Sequence, residues 1–265
     1  MSIVSDSVKK LVENIKDDAL QEVLFFVLQP LIHTHDGRCV GAEALIRGNV
    51  DGTIIYPDRF IPQLEKNGDI KKVGLFVLQN ALRFACEHRW YKNTEFRLSV
   101  NFSPLEINDS KTVKKIAHIG GKTPFRRQNI VIEITETAIP LTLQGRQNAV
   151  WLQDQGFTLA WDDICEPAEL TKNDPDFTAD VIKLDRSVLF PGALNRARQL
   201  IEMCRARNWP VIVEGVENTQ QLQWLVKQGV LYCQGYLFSP PVDVERFQSR
   251  FFTLNKIGEA QFIEH

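Results

Sequence analysis

The chain has 265 residues, 44% of them hydrophobic and 24% charged, with 31 Lys and Arg against 33 Asp and Glu for a formal charge of −2. That composition supports a buried core and excludes a disordered chain, and the near-neutral balance gives no electrostatic case for a nucleic-acid polymer as the main partner. No apolar run approaches the roughly 20 residues of a membrane span, and the N-terminus lacks the pattern of a signal peptide. Five scattered cysteines (Cys39, Cys86, Cys165, Cys204, Cys233) with no C-x-x-C pair argue against a disulfide framework or zinc ribbon and predict a cytoplasmic protein.

Residues 1–22 read as an N-terminal amphipathic helix, with Val4, Val8, Leu11, Val12 and Ile15 on one face, packed over one end of a domain that occupies 23–265. Eight β-rich apolar runs follow: 23–33, 39–47, 96–103, 130–137, 158–164, 181–185, 211–216 and 231–239. Between the later runs lie stretches with helical spacing of apolar residues, such as 69–90 and 196–209. Strands alternating with helices imply parallel βαβ units, and eight units in about 250 residues predict a TIM-like (β/α)8 barrel. The first two runs are joined only by THDGR (34–38). That is a hairpin connection, too short for a crossover helix, so the first strand runs antiparallel to the second.

The polar residues of these runs fall toward their C-terminal ends: Glu43 and Arg47, Asn101, Glu133 and Glu136, Asp162 and Asp163, Lys183, Glu214, Gln234. A buried carboxylate is costly unless it is paired, hydrogen-bonded or bound to a metal. One lone Glu on a strand is more often a rim residue or an ion-pair member. Six acidic or amide groups at the ends of different strands are better explained by convergence on one barrel mouth, where barrel enzymes keep their chemistry. Arg47 and Lys183 are too few to neutralise them, which calls for two divalent cations. Oxygen-only ligands suit Mg²⁺ or Mn²⁺ better than Zn²⁺. Two such ions form a clamp for phosphodiester hydrolysis, with Lys183 orienting the nucleophile or stabilising the transition state and Arg47 holding a phosphate bidentately. His33, His35, His88, His118 and His265 read as surface residues, and Trp151, Trp161, Trp209 and Trp224 as packing. Asp185, Arg186 and Glu217, at strand exits, read as salt-bridge residues.

With these positions in view, the chain resembles the EAL-domain family of cyclic di-GMP phosphodiesterases. The motifs are Gln29–Pro30, GAEALIR with Glu43-Ala44-Leu45, VNFSP with Asn101, EITET with Glu133 and Glu136, Asp162–Asp163, IKLDRS with Lys183, VEGVE with Glu214, and QGYLFSPP with Gln234. They cover about residues 23–247 in the family's order. The resemblance implies that Glu43, Asn101, Glu133 and Asp162 hold one Mg²⁺ or Mn²⁺, and that Asp162, Asp163 and Glu214 hold or support a second. It implies that Lys183 contacts the catalytic water, that Gln29, Leu45, Arg47 and Gln234 line the cyclic di-GMP site, and that Glu136 anchors the loop after the fifth strand. The expected reaction opens cyclic di-GMP to linear pGpG, and the family suggests a homodimer through the barrel-mouth region.

The sequence departs from the family in three places. The usual Phe-Gly and Gly/Ser-rich loop after the two aspartates is replaced by Ile164-Cys165-Glu166-Pro167-Ala168-Glu169-Leu170. Gly48 stands for a usual Trp, and Val213 for a usual Ala. The rewritten loop supports a second reading, a catalytically silent receptor for cyclic di-GMP or a protein-binding regulator. An enolase-type lyase also pairs strand-end carboxylates with lysine, but residues 1–22 cannot supply its capping domain.

Overall fold

A computed structural model describes residues 3–135, 139–170 and 179–252. The chain begins with α1 (Ile3–Lys16) and the single turn α2 (Leu20–Val23), then β1 (Leu24–His33), β2 (Cys39–Val50), β3 (Thr53–Ile55), α3 (Pro57–Asn67) and α4 (Val73–Glu87). Next come β4 (Arg97–Phe102), α5 (Pro104–Ile107), α6 (Ser110–Gly121), β5 (Ile130–Ile134), α7 (Leu143–Asp154) and β6 (Thr158–Ile164). The last part holds β7 (Val181–Leu184), α8 (Leu194–Ala206), β8 (Val211–Val213), α9 (Thr219–Lys227), β9 (Tyr232–Cys233) and α10 (Val244–Phe247).

The strands form one sheet in the order β1-β9-β8-β7-β6-β5-β4-β2-β3, and the β1–β2 pairing closes it into a barrel of eight strands with β3 outside. β1 runs antiparallel to both β2 and β9, while β2, β4, β5, β6, β7, β8 and β9 are parallel neighbours. The hairpin expected at 34–38 is present. Gly37 adopts φ 68°, and Asp36 accepts hydrogen bonds from the Arg38 backbone N–H at 3.1 Å and side chain at 2.7 Å. A left-handed glycine and an Asp that bonds two residues on are the standard chemistry of a tight reversal.

The eight runs correspond to β1, β2 and β4 to β9, with several shorter than their apolar stretches. β5 ends at Ile134, β8 at Val213 and β9 at Cys233, and the next residue of each still donates one bond to its neighbour: Thr135 to Phe102, Glu214 to Leu184 and Gln234 to Val213. The sequence reading missed β3, which pairs with the extension of β2 through Gly48↔Ile55 and Val50↔Thr53. Asp51 and Gly52 turn that small hairpin in the left-handed region, at φ 51° and 81°.

Side chains alternate between the two faces of a strand. One inward layer is apolar: Leu31, Val131, Ala160, Val181 and Ile212 pack together as the barrel floor. Two residues further along each parallel strand, the same face carries Glu133, Asp162, Lys183 and Glu214. The outward positions join the large core beneath the helices, where Trp151, Trp161, Trp209 and Trp224 also pack in part. His35, His88 and His118 are exposed and His33 is half-buried, while His265 lies outside the described residues. Asp185, Arg186 and Glu217 form no salt bridge among the described residues: Asp185 caps the turn after β7 by accepting the Ser187 N–H at 2.9 Å, and the Glu217 backbone N–H donates to the Gln221 side chain. No helix among the described residues is long and apolar enough to cross a membrane.

Helix α1 rests on the side of this barrel. Val8, Leu11 and Ile15 join Val50, Ile55, Phe60 and Leu64 in a second core of their own, so the helix packs against β2, β3 and α3. Its seat explains one sequence departure. A Cβ at Gly48 would lie 2.6 Å from Leu11 Cδ2 and 3.3 Å from Ile55 Cβ; the fully buried Leu11 occupies the space into which a larger residue at 48 would grow. Gly48→Ala therefore lowers stability by about 1–3 kcal/mol through overpacking, and Leu11→Ala by about 2–5 kcal/mol through a cavity. The double variant loses less than the sum, because the new methyl enters the vacated volume. Urea denaturation of the three variants checks this; strict additivity would show that α1 does not lean on Gly48.

Candidate metal and nucleotide site

The mouth of the barrel is built on strand register. Glu43 on β2 lies opposite Gln29 on β1, and Asn101 on β4 opposite Glu133 on β5. β6 and β7 bring Asp162 and Lys183 beside them, and Glu214 and Gln234 follow β8 and β9. Gln29, Glu43, Asn101, Glu133, Asp162, Lys183, Glu214 and Gln234 are thus gathered at one end, above the apolar floor.

At their centre is Lys183, 1% exposed. Its ammonium lies 2.8 Å from Glu133 Oε2, 2.8 Å from Glu214 Oε1, 3.0 Å from Asp162 Oδ2 and 3.3 Å from Glu43 Oε2. Gln234 ties the two sides together, its Nε2 donating to Glu43 Oε2 at 2.7 Å and to Glu214 Oε1 at 3.1 Å. Asn101 donates from Nδ2 to Glu43 Oε1 at 2.6 Å. Its Oδ1 is buried and has no hydrogen-bond partner.

The electrostatics follow from burial and crowding. Burial opposes a charge on Lys183, but Asp162, Glu133, Glu214 and Glu43 together raise its pKa well above the ordinary lysine value. Burial works against ionising Glu43 too, yet Lys183 and the hydrogen bonds from Gln234 and Asn101 outweigh it and hold Glu43 low. Glu133 is pushed well above its ordinary value by burial and then by Glu43. Burial also raises Asp162 against the pull of Lys183. Loss of solvent at the mouth and repulsion from Asp162 take Asp163 to about 6, and burial takes Glu214 to about 8 despite Lys183.

Two sets of three carboxylates have oxygens within 4.8 Å of one another: Glu43, Glu133 and Asp162, and Asp162, Asp163 and Glu214. Asp162 belongs to both. When all five carboxylates ionise, one ammonium leaves four negative charges, the charge that two divalent cations neutralise. The donors are all oxygen, which suits Mg²⁺ or Mn²⁺, and the orphaned Asn101 Oδ1 is an acceptor with nothing to accept. On these grounds the residues present fit the metal pair that the sequence implied.

Asp163 reaches its place through the backbone. Between Trp161 and Ile164 the pairing of β6 with β7 slips by one residue, a bulge that re-aims side chains. Asp163 sits there at φ 61°, a left-handed conformation uncommon outside glycine, and its N–H donates to Asp162 Oδ1 at 2.9 Å.

A cavity of about 650 Å³ opens over the acidic cluster, with Gln29, Leu45 and Gln234 in its wall. Arg47 stands apart from that lining. Its guanidinium lies 5.1 Å from the centre of the Tyr56 ring and donates to the Ile46 carbonyl. Glu136 lies outside the described residues. The sequence reading also missed an arm of the cavity between α3, α4 and β4, lined by Glu65, Ser103 and Glu106 among others. Ser103 Oγ donates to Glu65 at 2.6 Å, and Glu106, raised to about 8 by burial, accepts the N–H groups of Gly74 and Ser103. The S-x-x-E capping-box spacing from Ser103 to Glu106 was the available signal.

Comparison with known proteins identifies the family and the fold. The EAL domain family model matches residues 12–241. A probable cyclic di-GMP phosphodiesterase of Escherichia coli K12, PdeI, is 29% identical over 227 residues, 83% of this chain and 29% of PdeI. The cyclic di-GMP phosphodiesterase PdeL of the same organism is 27% identical over 84% of this chain and 63% of PdeL. The chain therefore spans less than two thirds of either relative. Among solved structures, the EAL enzyme Bd1971 in its cAMP- and cyclic di-GMP-bound form superposes with a TM-score of 0.81 at 23% identity, covering 92% of this chain and 69% of that one. The PaMucR phosphodiesterase in complex with c-di-GMP does so with a TM-score of 0.77 at 22% identity, covering 90% and 99%. At these identities the structures establish the shared barrel fold.

The raised carboxylates set the sign of a pH effect. The folded, metal-free protein keeps protons on Glu214 up to about pH 8 and on Asp163 up to about pH 6, whereas their ordinary values are 4.5 and 3.8. Folding takes up protons across that window, so metal-free stability falls as pH rises through it. Thermal unfolding in chelator gives a higher midpoint at pH 6 than at pH 8. Cations must displace those protons, so Mn²⁺ affinity rises over the same interval. A midpoint that is flat or rises with pH would show that these carboxylates are ionised without metal.

Proposed function

The chain belongs to the EAL domain family, and from that premise we propose that it hydrolyses cyclic di-GMP to linear pGpG with two Mg²⁺ or Mn²⁺ ions. The observation that carries the proposal is the pair of carboxylate triads sharing Asp162, with the unpartnered Asn101 Oδ1 beside them. Relatives named as cyclic di-GMP phosphodiesterases support the substrate.

Glu43, Asn101, Glu133 and Asp162 would hold one cation, and Asp162, Asp163 and Glu214 the other. The pair would supply charge neutralisation at the phosphate and acidification of water. The remaining roles belong to side chains of this chain. Lys183, with carboxylates of Glu43, Glu133, Asp162 and Glu214 within 3.3 Å of its Nζ, would be a hydrogen-bond donor that orients the attacking water and offsets phosphate charge. The carboxylates of Asp163 and Glu214 are the groups placed to take the proton the water loses. Water oxygen bonds to phosphorus as the P–O3′ bond breaks. The O3′ leaving group takes up a proton, which gives a linear product with one 5′-phosphate and a free 3′-hydroxyl. Gln29, Leu45 and Gln234 in the cavity wall, with Arg47 at its edge, would position the nucleotide.

The loop 164–170 favours one alternative, a receptor that binds cyclic di-GMP without turnover, because the family's glycines are absent there and Pro167 restricts the backbone. One experiment separates the two. The purified chain is incubated with cyclic di-GMP and Mn²⁺, Mg²⁺ or chelator, and the nucleotides are resolved by chromatography. The phosphodiesterase gives pGpG only with metal, and Glu43→Gln reduces it to background. Tight binding of cyclic di-GMP in calorimetry with no pGpG under any condition would replace this reading with the receptor.

A further inference from the structure

The loop that departs from the family is held by one of its own side chains. Glu169 Oε2 accepts the backbone N–H groups of Cys165 and Glu166, each at 2.8 Å, and the Cys165 thiol donates to Glu169 Oε1 at 3.8 Å. Glu166 in turn forms an ion pair with Arg196 on α8. At the start of the loop, the Ile164 carbonyl accepts the Asp185 N–H at 3.0 Å. No residue from 164 to 170 has positive φ. The turn is thus made without glycine geometry, and the two N–H groups at its start are met by a carboxylate rather than by a backbone reversal.

This staple begins two residues after Asp163, the residue held at φ 61° in the bulge. A non-glycine residue in the left-handed region persists only where its surroundings over-determine it. On one side Asp163 is fixed by its N–H to Asp162 and by the β6–β7 ladder. On the other side it is fixed by the chain that Glu169 clamps. We propose that Glu169 is a positioning residue for the second cation: it locks Cys165 and Glu166, and so keeps the Asp163 carboxylate in the group formed with Asp162 and Glu214. Arg196 acts one step further out, pinning the clamped loop to α8. The proposal rests on the metal pair of the phosphodiesterase reading, but its test does not depend on turnover.

Mn²⁺ is titrated calorimetrically into the metal-free protein. The native chain takes up two ions. In Glu169→Ala the tighter ion, held by Glu43, Asn101, Glu133 and Asp162, keeps its affinity, and the other weakens by about 10- to 100-fold, the range for groups that orient metal ligands. Glu169→Gln, which keeps one acceptor oxygen for the two N–H groups, recovers most of that loss. With cyclic di-GMP as substrate, the Ala variant lowers kcat and leaves KM unchanged. A merely structural role would lower the melting temperature and move both ions together. If Glu169→Ala does not fold, Arg196→Ala serves instead, with a smaller weakening confined to the second ion. Two unaltered affinities, equal losses at both ions, or a native protein that never binds a second ion would each overturn the proposal. A native protein that binds two ions and makes no pGpG would remove the phosphodiesterase reading and leave Glu169 to be judged on affinity alone.

Discussion

A single buried ammonium organises the barrel. Lys183 is almost without solvent, and a charge in that position is tolerated only because carboxylates from four other strand ends surround it. The dependence is mutual. Glu133 and Asp162 are themselves buried and would be costly without Lys183. Remove one partner from such a set and the others are left as uncompensated buried charges. The strand ends that bear them are held at hydrogen-bonding distance by the barrel ladder, and the electrostatics in turn pulls those ends toward one axis.

The alternation of side chains along each strand turns this into a layered interior. Val131, Ala160, Val181 and Ile212 close the barrel from below, and the residues two positions on provide the chemistry. The floor keeps water out from beneath the ionic cluster, which strengthens every interaction above it. It also divides the interior along the barrel axis, with apolar packing at one end and the charged cluster at the other.

That layering is why so much was legible in the sequence. A polar residue interrupting an apolar strand at a fixed distance from its end is visible as text, and Glu43, Glu133, Asp162, Lys183 and Glu214 were found that way. The same logic placed the β1–β2 hairpin, because five residues cannot hold a helix. What stayed hidden depends on contacts far apart in the chain. Gly48 is an unremarkable glycine until Leu11 is seen above it. β3 is three residues long, too short to show a period. Glu65 and Ser103 meet across 38 positions. Gln234 lies in the cavity wall as expected, but the bridge its amide makes between Glu43 and Glu214 was not visible. The loop after Asp163 reads in sequence only as a rewritten segment without the family's glycines; the hydrogen bonds by which Glu169 holds it depend on its folded path.

The closure of the barrel carries a consequence for how the protein comes into being. β1 finds β2 at once, through a five-residue turn, but its other neighbour is β9, and Thr34 bonds to Val230 across 196 positions. Contacts of that separation are slow to form because the loop entropy must be spent before any pairing repays it. During synthesis the outer edge of β1 therefore waits unpaired until Tyr232 and Cys233 have been made, an exposed template of the kind that recruits foreign strands. Glu43 emerges some 170 residues before Glu214 and 190 before Gln234. A growing chain thus carries a fragment of the acidic ring without the geometry to use it. The acidic ring is completed in the same late event that seals this edge.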